Sequence, residues 1–183
     1  DIKTALSTIT FQNGVVFNNY IHASKQVGYF GFENCMEDII PLIKIPPYNS
    51  GAKGAAGNSV DGQGLERLGY AHGTIENGKN FIRYHQPTWK GNYYEVLIQW
   101  IKISNKILGQ WTITTNKKAR LPVLNINLKE PTEWDTHMAW WNNFWKRSAV
   151  SIPDTILEKQ YYLEMYKFGC VARSNTPPIS LQA

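Results

Sequence analysis

The acidic residues most suggestive of chemistry fall in three close pairs. Two carboxyl groups flanking one bond can protonate a leaving oxygen and supply a nucleophile or activate water, which is the chemistry of glycosidic hydrolysis. Asp154 and Glu158 are four apart on an expected helix, but they stand in its first turns, where acids offset the macrodipole. Glu133 and Asp135 are likewise placed at a helix start, and Glu37 and Asp38, adjacent on an expected strand, would point to opposite faces. No catalytic residue is therefore assigned within the chain.

The other reactive side chains are equally dispersed. His22, His72, His85 and His137 have no metal-type spacing, and Cys35 and Cys170 make no CxxC, so no metal site or disulfide framework is expected and both thiols are expected to be buried and free. His137 lies among tryptophans, where its nitrogens need partners; a core histidine bonded to a backbone carbonyl is the expected role. There is no GxSxG elbow. The stretch SGAKGAAGNSVDGQG within 49–64 has Gly51, Gly54 and Gly57 at every third position, yet it lacks the Lys-Ser/Thr of a phosphate-binding loop and reads as a mobile loop at a sheet edge, able to join a binding rim. Two tryptophans are candidate platforms for a sugar ring: Trp89, in the loop QPTWKGN, and Trp140, at the edge of a helical stripe.

That stripe belongs to the elements around which the chain is organised. At the helical advance, Trp134, Met138, Trp141 and Trp145 share one face, flanked by His137, Phe144 and Ser148, while Asp135, Asn142, Asn143 and Lys146 project the other way. Such a heavy apolar stripe must lie against something large. A second helix is expected from Asp154 to about Arg173, with Ser151 and Asp154 spaced as a capping box and Pro153 in the first turn. Its apolar residues run nearly all the way round, so burial on most sides is expected, and SNTPP ends it.

The run HMAWWNNFWKRSAVSIPD followed by LEKQYYLEMYKFGCVARSNTPPISLQ resembles the linker and barrel entry of the family 95 glycoside hydrolases, the α-L-fucosidase type. The resemblance covers about the last quarter of the chain in words and the remainder only in strand pattern. It implies an N-terminal β-sandwich joined by linker helices to an (α/α)6 barrel, and hydrolysis of terminal α-L-fucosyl or similar bonds with inversion, without metal or organic cofactor. It also implies that the acid and its partners reside in the barrel, beyond this chain. Arg173 and Gln182, in the segment resembling the barrel entry, are the rim residues it suggests. Periplasmic or secreted location is a further implication of the resemblance.

Residues 1–129 alternate with the punctuation of hairpins. Thr8–Gln12 and Val15–Phe17 flank Asn13-Gly14, and Thr74–Glu76 and Phe81–Tyr84 flank Asn77-Gly78, both dipeptides suited to type I′ turns. Further strands are expected at Gly28–Phe32, at Ile39–Ile45 despite Pro41, at Asn92–Ile103, at Gln110–Thr115 and at 124–129. Asn92–Ile103 is apolar on both faces and reads as a central strand. Long antiparallel strands without intervening helices predict a mainly β protein, a β-sandwich over 1–129, followed over 130–183 by linker helices and the truncated start of a helical barrel. The boundary falls at Lys129-Glu130-Pro131, where period 2 gives way to period 3.6.

Composition narrows the partners. The chain has 183 residues, 43% hydrophobic and 13% aromatic, which is a globular rather than a disordered composition. Its net charge of +5 comes from 19 Lys and Arg scattered without a stripe, so no nucleic-acid partner is expected. No apolar run is long enough for membrane insertion. The opening DIKTALSTITF already reads as strand and LQA closes nothing, so both ends read as cut. The expected partners are a carbohydrate and the downstream barrel of the same protein. The rival reading is a self-contained, non-catalytic carbohydrate-binding or interaction module.

Overall fold

The computed structural model describes residues 1–45, 70–124, 127, 129 and 131–172. The strands are β1 (Ser7–Thr10), β2 (Val16–Ile21), β3 (Gly28–Glu33), β4 (Thr74–Asn77), β5 (Phe81–Pro87), β6 (Tyr93–Ile103) and β7 (Lys106–Thr115), and the helices are α1 (Pro131–Trp145) and α2 (Thr155–Val171). The protein is mainly β, as its alternation predicts. All seven strands join one antiparallel sheet in the order β1-β2-β3-β7-β6-β5-β4. Two packed sheets were expected, but the described strands form one, because β3 pairs with β7 and so fuses the N-terminal hairpins to the later ones. Glycine permits that seam: a side chain at Gly109 would collide with the Phe30 ring, and one at Gly28 with the Trp111 indole.

Register assigns the two faces. Phe17, Phe32 and Ile107 stand in one row across three strands, and Ile82, Ile98 and Trp111 in another on the same face. This apolar face buries Cys35, Ile82, Trp100 and Ile107, with Ile39 and Ile43 packed over them. Residues 39–45 are not a strand, contrary to expectation. Ile39 and Ile43 reach the core while Ile40 and Leu42 are exposed, an alternation that suits a strand, but the segment joins no ladder of the described sheet and Pro41 removes a ladder donor.

The opposite face is lined by polar groups and is nonetheless buried. Gln110 and Thr114 of β7 and Glu95 of β6 lie under residues 117–122, which cross above them. Side-chain bonds satisfy these polar groups beside the buried Leu97 and Leu108: Gln110 Nε2 donates to Pro122 O at 2.5 Å and Thr112 Oγ1 to Gln26 O at 2.5 Å.

Both hairpins expected at Asn-Gly exist, with longer loops than the two-residue type. Gly14 has φ +80 in a loop closed by Phe11 N–H to Val15 O at 2.9 Å, and Gly78 donates to Phe81 O at 2.9 Å. The alternation at 124–129 falls largely outside the described residues, as does the glycine-rich stretch 49–64.

The helices form a hairpin on the β2 side of the polar face. Trp134 meets Tyr20 edge to face at 5.1 Å between ring centres, while Trp141 lies 5.4 Å from Tyr166 and Trp145 lies 6.1 Å from Tyr162 across the helix pair. Gly169 is the close approach that lets α2 settle on the Trp141 and Phe144 rings. The cap of α2 is Asp154, whose carboxylate accepts from Ile156 N and Leu157 N, rather than Ser151 as the sequence suggested. Glu158 reaches back to Ile152 N at 2.7 Å. Burial of α2 on most sides is not found: Ile156, Leu157 and Phe168 are exposed and Gly169 is its buried residue, because only α1 packs against it among the described residues.

Candidate functional site

A groove of about 730 Å³ lies between the leading segment, the end of β2 and the helical hairpin. One wall is residues 21–26, where the chain leaves β2; the other is Trp140 and Trp141 of α1 with Tyr166 and Cys170 of α2. Trp140 is half-buried and stacks on Phe144 with 9° between planes, so helical spacing of four supplies a stiff aromatic rim. Asn19, Ser24, Lys25 and Gln26 bring polar groups to the same space. Lys25 is held by Glu133 at 2.6 Å. Burial, reinforced by its hydrogen bond with the Cys170 thiol, pushes the Tyr166 hydroxyl up to about 12, so it stays protonated and serves as a donor. Such a site can hold a ring-shaped, hydroxyl-rich ligand by stacking and hydrogen bonds.

Two histidines join the wall to the helix: His22, which lines the groove, and His137, buried behind it. His137 is fully buried; its Nδ1 accepts from Ala23 N at 3.1 Å and its Nε2 donates to Thr4 O at 2.8 Å. The expected bond to a backbone carbonyl is therefore present. His22 accepts from Ser24 N at Nδ1, 3.1 Å, and donates from Nε2 to Glu133 O at 3.0 Å. Burial holds both imidazoles below their ordinary value of 6.5, the Glu133 carbonyl and carboxylate opposing the fall at His22 and the Thr4 carbonyl opposing it at His137. Sequence reasoning found His137 and missed its partner, because 115 positions separate them and only the packing of α1 on β2 brings the rings to 5.8 Å.

A second polar centre lies on the buried polar face of the sheet. Glu95 accepts from Arg83 Nη1 at 2.8 Å and from Ala119 N at 2.7 Å, and pairs with His85 Nδ1 at 3.2 Å. Burial pushes this carboxyl up, but the Ala119 N–H, His85 and Arg83 together outweigh it and hold the group below its ordinary 4.5. An acid kept ionised in this way fastens the crossing segment and is unsuited to donating a proton. The signal was present in the sequence: Arg83 and His85 alternate on one strand, and the hairpin turning at 89–91 sets His85 opposite Glu95.

The sugar-platform candidates are not brought together. Trp89 is 58% exposed on a single 3₁₀ turn between β5 and β6, where Lys90 takes φ 54 and lies 5.8 Å from the indole ring centre, and it does not line the groove. Trp140 does. Arg173 and Gln182 lie outside the described residues. Asp38 is exposed and paired with Lys102 at 2.7 Å. Cys35 is buried as expected, whereas Cys170 is exposed, because it lines the open groove beside Tyr166. No three His, Cys, Asp or Glu side chains gather as a metal site among the described residues. Nor is any described helix long and apolar enough to cross a membrane. No protein-family model and no curated protein matches the chain.

Proposed function

We propose that this chain is the non-catalytic front of a glycoside hydrolase resembling family 95, acting on terminal α-L-fucosyl or similar bonds with inversion in the periplasm or outside the cell. In this reading the sheet is a layer of an N-terminal β-sandwich, the hairpin is the linker, and the catalytic carboxyls come from a helical barrel that follows. The observation that carries the reading is the outer side of α2, where Ile156, Leu157 and Phe168 are 77%, 58% and 62% exposed. A helix so apolar on its free side suits a further helical layer. The aromatic run of α1 would then be a wedge between sheet and barrel.

The groove favours a second reading, a carbohydrate-binding module, since aromatic rims beside amides and hydroxyls are the surfaces on which sugars stack. The test is hydrolysis of an aryl α-L-fucoside by the natural protein, with the anomer of the released sugar followed by NMR. Release of the β-anomer supports the hydrolase. No hydrolysis by a natural protein whose mass is 20.9 kDa overturns it. Titration with fucosylated oligosaccharides then tests the module, with Trp140→Ala expected to abolish binding.

A further inference from the structure

The union of hairpin and sheet is made through imidazole rings in one protonation state. Four hydrogen-bond contacts cross it at histidine nitrogens: Ala23 N to His137 Nδ1, His137 Nε2 to Thr4 O, and His22 Nε2 to both Glu133 O and Thr136 Oγ1. In both rings Nδ1 is the acceptor of a backbone N–H, at 3.1 Å in each case. A proton added there sets donor against donor and removes the bond, and at His137 it places a cation on a fully buried ring between Tyr20 and Trp134. If both rings accept protons, two cations stand with ring centres 5.8 Å apart.

The surrounding charges do little to accommodate them. Glu133 lies 3.6 Å from His22 Nε2, but its carboxylate is already engaged by the Lys25 ammonium at 2.6 Å. Lys129 sits over Trp134 at 4.8 Å and adds positive potential. In the leading segment the Asp1 carboxylate is bonded to Lys3 N and Thr4 Oγ1. Among the described residues no carboxylate pairs with His137.

We propose that His22 and His137 form an acid-released latch that holds the α1–α2 hairpin against the sheet. The released hairpin exposes both rings to water, where they take protons that the latched state refuses. Because both titrate below 6.5 when latched, the released state binds more protons as pH falls from 6.5, and the latch weakens until the pH passes the lowered values. Each histidine contributes up to about a tenfold rise in the release constant per pH unit in that window. In the sheet, Glu95 is held below its ordinary 4.5 and stays ionised across that window.

The experiment is hydrogen exchange on the whole chain at pH 7.5 and pH 5.5, with rates corrected for the intrinsic effect of pH. Amides of 131–172 are expected to lose protection about tenfold or more relative to those of β6 and β7. Unchanged relative protection, or equal loss in β6 and β7, overturns the latch. In the His22→Gln/His137→Gln variant the pH-dependent loss must vanish, and its persistence also overturns the assignment. Should that variant not fold at pH 7.5, imidazole proton resonances of the unmodified chain decide. Both rings must remain neutral until the hairpin lets go, and a ring that titrates at 6.5 or above with the hairpin in place refutes the proposal.

Discussion

Two buried polar centres hold this molecule together by opposite means. The joint between hairpin and sheet uses neutral rings, His22 and His137, set among Tyr20, Trp134 and Trp141. The clasp over the sheet uses opposite charges, Glu95 against Arg83, with His85 bonded to the same carboxylate, to pin residues 117–122 across the sheet. Hydrogen bonds to backbone satisfy the buried groups in both. The joint works only while its histidines are uncharged, and the clasp only while its carboxylate is charged, so acid attacks them in different ranges and mutation attacks them through different terms.

The largest separation comes from volume. Trp141 is 2% exposed and touches Tyr166, Phe144, Trp145 and the Gly169 backbone, so Trp141→Ala is expected to cost about 3–5 kcal/mol in urea unfolding, mostly as loss of the hairpin. Trp145→Ala should cost less, because Trp145 is only half-buried. The indole N–H groups of both lack a hydrogen-bond partner among the described residues, a penalty that their ring contacts must offset. Equal loss of sheet and hairpin signals in Trp141→Ala would show that joint and clasp are one cooperative unit.

Charge gives the next effect. Glu95→Ala leaves Arg83 without its 2.8 Å partner and Ala119 N–H without an acceptor, for a loss of about 3 kcal/mol. Replacing both partners, Arg83→Met with Glu95→Leu, should recover most of that loss, since two apolar groups leave no buried charge unpaired. A double variant as unstable as Glu95→Ala alone would refute the electrostatic account of the clasp.

A pH series sharpens the contrast without any substitution. From pH 8 downward the first loss of stability should begin near 6.5, where an unfolded chain protonates His22 and His137 and the folded one does not. The clasp behaves as a carboxylate held low: its contribution is complete above 4.5 and is lost as pH falls through the lowered value. Urea midpoints should therefore fall in two steps. A single step below 4.5 would remove the histidines from the account of the joint.

What the sequence revealed and withheld follows from the same contrast. Periodicity located β6, β7 and both helices because burial on one side dictates which positions are apolar. It misread 39–45, where Ile39 and Ile43 serve the core from an irregular path, and it placed the strands in two sheets because nothing local announces that Gly28 and Gly109 lie under the Trp111 and Phe30 rings. It took α2 as covered on most sides, because apolarity records what a surface suits rather than what lies on it. The clasp was legible through hairpin arithmetic, with His85 opposite Glu95. The joint was half legible: His137 announced a need for partners, but those partners, Thr4 and Ala23, are remote in the chain and carry no signature as backbone groups.

The smallest effect belongs to a residue outside both centres. Trp89 stands 58% exposed on a turn anchored by bonds that do not involve its ring: Thr88 N–H to Asn92 O at 2.7 Å and Asn92 Nδ2 to Trp89 O at 2.8 Å. Trp89→Ala should therefore change unfolding free energy by no more than about 0.5 kcal/mol, and it should leave both pH steps in place. An exposed indole leaves its face open to use by a ligand. If that use is stacking on a sugar, the variant weakens oligosaccharide binding in calorimetric titration while its urea midpoint stays fixed. A shifted midpoint would instead assign Trp89 to the packing of the β5–β6 turn, and the sugar-platform role would be withdrawn.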